Sequence, residues 1–222
     1  LGPLALFDFD FGTEGVSKKF RHSGAPIVHA KYLIRDDSDE GAMERWKRFR
    51  RDWYAALKSP KIRSMMLDQG ASMYQAIRLA LFGRLSKVPP HKYDAVNAEL
   101  NKIITSVYPT DKNLILLHPL KAEYKRDGDD DMGRKTGKLV MDGWPRIPYL
   151  VQVNAVAYRS HSKEQKLADP EGYKDEPPAG GFGLKIINCR HNPKAAGVKL
   201  FGSKRTPQEL LKVVFAEEGD GE

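Results

Sequence analysis

The chain has 222 residues, 41% of them apolar and 30% charged, with a formal net charge of +8. That is enough apolar chain for a sizeable core, and the basic balance favours an anionic partner such as nucleic acid or a nucleotide. A lone cysteine, Cys189, excludes an internal disulfide framework and a cysteine-rich zinc site, while the lack of an apolar run of about 18 residues excludes a membrane helix.

The N-terminus lacks the basic-then-apolar plan of a signal peptide, so a cytoplasmic protein is expected. Leu4 to Phe7 is an apolar run of strand length that enters "DFDFGTEGV", bringing Asp8, Asp10 and Glu14 close together. Ile27 to Leu33 is a second strand. From Glu40 to Leu57, Met43, Trp46, Phe49, Trp53 and Leu57 form a helical stripe. Arg45, Lys47, Arg48, Arg50 and Arg51 cover its other faces, as a solvated helix surface or a DNA contact.

Ile62 to Leu67 is another buried strand, ending at Asp68; helical spacing then resumes through Met73, Ile77 and Leu81 and stops at Gly83. A further helix carries Tyr93, Val96, Leu100, Ile103, Ile104 and Val107 on one face. Leu114 to Leu117 is an apolar strand ending at His118. The charged, glycine-containing segment 125–138 predicts a mobile loop. Strands follow at Leu139 to Met141 and Tyr149 to Tyr158, then an exposed polar excursion over 159–182 and a strand at Leu184 to Cys189. Thr206-Pro207-Gln208-Glu209 is a capping box that starts a short C-terminal helix.

Continuous apolar strands separated by amphipathic helices predict an α/β fold with a mostly parallel sheet covered on both faces. In such sheets ligands bind beyond the carboxyl ends of the strands. Asp8, Asp10, Asp68 and His118 all fall at such ends. Two readings of "SMMLD" are open: a strand-tip carboxylate that grips magnesium, or a helix cap at Asp68. A glycine-rich phosphate loop ending in Gly-Lys-Ser/Thr is missing. "GRKTGKL" is one residue short, has Leu139 where the hydroxyl belongs and follows no apolar strand.

The order "LALFDFDFGTEGV", "IRSMMLDQGASMYQAIRLALFGRL", "NLILLHPLKAEY", "TGKLVMDGWPRIPYLVQVNAVAYR", "LKIINCRHNP" resembles one phage family over Leu4 to about Leu200. These are the RecA-like P-loop ATPases encoded beside phage recombination genes, the Sak/RadA-like single-strand annealing recombinases. The resemblance implies one RecA-like domain over 1–222 with C-terminal antiparallel strands. It places the first strand and phosphate loop (Walker A) before Leu1, so a chain starting there is expected to hydrolyse little ATP.

It also implies ATP and Mg2+ as ligands, single-stranded DNA as partner, assembly into rings or filaments, a phage single-strand binding protein as a further partner, and the host cytoplasm as location. Asp68 would be the magnesium-associated aspartate. Asp10 stands where the family has its catalytic glutamate, with Glu14 nearby, and the general base is open between them. His118 would sense the terminal phosphate, or is simply a strand-end histidine. Lys121, Lys125, Arg126, Arg134, Lys135 and Lys138 match a DNA-binding loop. Arg190 and Asn192 would meet nucleotide from a neighbouring subunit, or form a plain turn. The alternatives are a DNA-binding partner protein independent of nucleotide, and a metal-dependent nuclease using Asp8, Asp10, Glu14 and Asp68.

Overall fold

The computed structural model describes residues 2–10, 13, 26–33, 39–84, 89–125, 134–169, 171, 177–202 and 207–216. Glu14, Arg126 and Thr206 lie outside the described residues. Two compact units are found, Leu1–Pro145 and Arg146–Glu222, where a single domain was expected. The division falls in "DGWPRIP", whose glycine and prolines interrupt backbone pairing.

In the first unit, β1 (Leu4–Asp8), β2 (Ile27–Lys31), β3 (Ser64–Asp68) and β4 (Asn113–Leu116) form a parallel sheet in the order β2-β1-β3-β4. β1 is central, and Ala5, Leu6 and Phe7 are all buried, as a strand covered on both faces requires. Side chains alternate along a strand, so Phe7 and Phe9 project to one side. There both rings meet Phe49 of α1 (Asp39–Lys58), with centroids 5.6 and 5.0 Å apart. Ala42, Trp46, Phe49 and Trp53 are the buried stripe of α1, and Tyr32 closes the aromatic cluster. The stripe read from sequence is therefore core.

Between β3 and β4 run α2 (Gly70–Phe82) and α3 (Tyr93–Thr105). α2 buries Met73, Ala76, Ile77 and Ala80 at helical spacing and packs between α1 and α3. It ends at Gly83, whose φ of 63° is a conformation that glycine adopts without a Cβ penalty. The indole of Trp53 donates to Ser106 Oγ at 3.0 Å, tying α1 to the end of α3. An α/β fold with a parallel sheet flanked by helices is thus present.

Beyond β4 the chain forms an antiparallel ribbon, β5 (Leu120–Lys125) with β6 (Arg134–Met141). Residues 134–138, expected in a loop, are the first part of β6. Their charges are compatible with strand because the ribbon exposes most of its side chains to water.

The second unit is a three-stranded antiparallel sheet of β7 (Val153–Arg159), β8 (Phe182–Cys189) and β9 (Lys199–Phe201) in the order β7-β8-β9. Its core is Ile186, Cys189, Ala195 and Val214, the last from α5 (Pro207–Val214). α4 (Lys163–Ala168) lies inside the expected excursion and starts at a capping box of Ser162 and Gln165. Tyr149, expected to begin a strand, closes a 3-10 turn over residues 147–149 with Pro148 near its start, and the strand begins at Val153. Proline lacks the N–H that a sheet ladder needs.

Candidate functional site

Asp8 and Asp68 end neighbouring strands as register partners, Asp8 opposite Asp68. The β1 chain goes on through Phe9, whose N–H donates to the Asp68 carbonyl at 2.5 Å. Asp10 thereby arrives beside both. Its N–H donates to Asp8 Oδ1 at 2.9 Å, and its own Oδ2 accepts from Gln69 Nε2 at 2.9 Å. The peptide bond joining Asp68 to Gln69 is cis.

His118 reaches the same rim from β4. Leu117 N–H donates to the Leu67 carbonyl at 3.0 Å, and Gly70 N–H to the Leu117 carbonyl at 2.8 Å, so His118 is drawn over the start of α2. A Cβ on Gly70 would stand 2.1 Å from His118 Cε1 and 2.2 Å from Nε2. Only glycine admits the ring there. His118 Nδ1–H donates to the Asp142 carbonyl at 2.9 Å, which leaves Nε2 as an acceptor in the neutral ring. Burial holds the imidazole below its ordinary pKa, against the opposing effect of that carbonyl.

The two strand-tip carboxylates differ in employment. Asp8 is completely buried and accepts from Asp10 N–H, from the Thr13 hydroxyl and from His29 Nε2 at 3.2 Å. It organises the turn after β1. Asp68 is half-buried and is raised above the ordinary carboxylate range, first by desolvation and then by the charges of Asp8 and Asp10, with His29 opposing. Among the described residues, no group of three or more His, Cys, Asp or Glu could hold a metal ion by itself.

The expected sites therefore divide. Asp10, Asp68 and His118 are brought to one rim of the first unit. Glu14 and Arg126 lie outside the described residues. Lys121 is spoken for, its Nζ standing 2.7 Å from Asp142 Oδ1. Lys125, Arg134, Lys135 and Lys138 are exposed on the ribbon, with Lys135 over the Tyr124 ring at 6.0 Å. Arg190 and Asn192 belong to the second unit. The Arg190 guanidinium donates to the Tyr149 carbonyl, and Asn192 Nδ2 to the Val213 carbonyl at 2.9 Å. Both side chains have local structural work there.

Thr13, His29, Gln69 and Asp142 complete the rim and were not singled out from the sequence. His29 alone left a signal, as the polar residue inside the strand run "IVHAK". No protein-family model matches the chain, and no curated protein is significantly similar to it.

Proposed function

We propose that the protein is the ATPase-type core of a phage DNA-recombination or single-strand annealing system, acting with Mg-nucleotide on single-stranded DNA. The observation that carries this reading is the gathering of Asp10, Asp68 and His118 at the carboxyl ends of adjacent parallel strands, where open α/β sheets bind ligands. Magnesium bound to a nucleotide takes most of its ligands from phosphates and water, needing one or two carboxylates from the protein. The residues present fit that demand: Asp68 is half-buried at its strand tip, while Asp8 is already fully engaged.

In this reading Asp68 would hold the cation, which would supply charge neutralisation to the bound nucleotide. Asp10, steadied by Gln69, accepts a hydrogen bond from the attacking water. His118 Nε2 faces the start of α2 and reports on that end of the site through Asp142. The nuclease alternative needs several carboxylates converging on two metals. The involvement of Asp8 with Thr13 and His29 argues against that use.

A DNA-binding role independent of nucleotide is favoured by one separate observation, the exposed cations of the β5–β6 ribbon. Titration of a fluorescent ATP analogue, with and without Mg2+, tests the main reading. Binding that needs Mg2+ and weakens at least about tenfold in Asp68→Asn is expected. Affinity indifferent to both Mg2+ and Asp68→Asn overturns it, and strand binding unaltered by ATP supports the nucleotide-independent role.

A further inference from the structure

A cleft of about 550 Å³ opens beside the rim, lined by Gln69, Tyr74, Gln75, Asn97, Asp142 and Trp144 together with small residues of α2 and the ion-paired Lys121. Its volume lies within the range of small-ligand sites. The charged residues in its wall are Lys121 and Asp142, which neutralise each other at 2.7 Å. A phosphate finds no uncommitted cation there. The remaining wall is aromatic and amide.

Tyr74 is held flat by its neighbours: its ring stacks on Tyr93 with a 2° interplanar angle, and its hydroxyl donates to Asn97 Oδ1 at 3.0 Å. The Gln75 side-chain oxygen accepts from Arg78 at 3.0 Å. With both amide oxygens engaged, the NH2 groups of Gln75 and Asn97 and the indole N–H of Trp144 have no protein partner among the described residues. The cleft is thus a donor-rich slot without net charge, with aromatic rings in its wall. That is the complement of a flat heteroaromatic ring bearing carbonyl acceptors.

We propose that this cleft is a nucleobase site, taking an unstacked base against Trp144 with its carbonyl edge toward the amides of Gln75 and Asn97. The inference rests on the nucleic-acid reading above and adds the place where a base is received. Gln69 is shared between the cleft and the rim: Ser72 Oγ donates to its Oε1 at 3.4 Å, and its Nε2 donates to Asp10. An occupant that moves Gln69 therefore alters the hydrogen bond to Asp10.

The base can come from a DNA strand or from a free nucleotide, and intrinsic fluorescence separates the two. Trp46 and Trp53 are buried in the core, so Trp144 is the indole open to quenching. Labelled oligo-dT and an abasic strand of equal length, read by anisotropy as well as by indole quenching, and ATP and dTTP alone are titrated into the full chain, into Trp144→Ala and into Gln75→Ala, whose position is exposed. Quenching by oligo-dT and not by the abasic strand, with about tenfold weaker oligo-dT binding in Trp144→Ala, is the expected result. Quenching by dTTP alone, whose base carries the carbonyls that adenine lacks, supports the site with the free nucleotide as its base source. Equal quenching by the abasic strand, or tight oligo-dT binding untouched by Trp144→Ala and Gln75→Ala, overturns the cleft and leaves the proposed function standing. A folded chain that binds neither strand nor ATP overturns both.

Discussion

Asp8 and Asp68 are the same residue type at paired positions of neighbouring strands, yet Asp8 is sealed inside a hydrogen-bonded turn and Asp68 remains partly open. Their substitutions separate accordingly. Asp8→Ala strands the Thr13 hydroxyl and the Asp10 N–H and is expected to cost about 2–4 kcal/mol in urea unfolding. Asp68→Asn is expected to unfold at a midpoint no lower than that of the wild type at neutral pH while impairing Mg-nucleotide binding.

The raised pKa of Asp68 sets a pH dependence. The fold favours its protonated form, so its contribution to stability is fully present below about pH 4 and is lost as pH rises through the folded-state value. Asp68→Asn cannot ionise. Its thermal midpoint relative to wild type is therefore expected to climb between pH 4 and pH 7, measured without divalent cations. A flat difference across that window contradicts the assignment.

Gly70 and His118 form a second test pair. Gly70→Ala drives a methyl group into the imidazole and is expected to cost about 1–3 kcal/mol by overpacking. In a His118→Ala background the same change should cost little. The double-mutant cycle in urea reads this coupling directly.

Phe49 sits at the centre of the aromatic cluster, touching Phe7, Phe9, Tyr32, Trp46 and Trp53. Phe49→Ala is expected to lose about 3–5 kcal/mol in denaturant unfolding. Lys47→Ala, on the exposed side of α1, should fall within about 0.5 kcal/mol of wild type.

The cations of the ribbon bear on DNA binding. Replacing Lys125, Arg134, Lys135 and Lys138 together by alanine is expected to lower the slope of log affinity against log salt by about 2–3 for single strands. Electrophoretic mobility or anisotropy over a salt series measures it.

Much of the first unit was legible because its strands are short apolar runs and its helices carry a clear stripe. "LALF", "SMML" and "LILL" could be little else, and Trp46, Phe49 and Trp53 announced the buried face of α1. The rim was legible for the same reason, since an acid or histidine directly after such a run sits at a strand tip. The β5–β6 ribbon was not. In "LKAEYK" the alternation is present but most of the residues carry charge, and the pairing that makes a strand of them is non-local. Thr13 and Gln69 were equally hidden, because their roles come from the side chains they meet across the rim and not from any pattern along the chain. The division at Pro145 was passed over because a turn between strands and a boundary between units have the same composition.

The base of the ribbon is clamped in place. Asp142 N–H holds the Pro119 carbonyl at 2.8 Å, the Asp142 carbonyl holds His118, and its carboxylate holds Lys121. Pro119 lies between the two residues so held, next to the imidazole that stands over Gly70. The base of the ribbon and the ring that lies over Gly70 are thus joined through a single residue, Asp142.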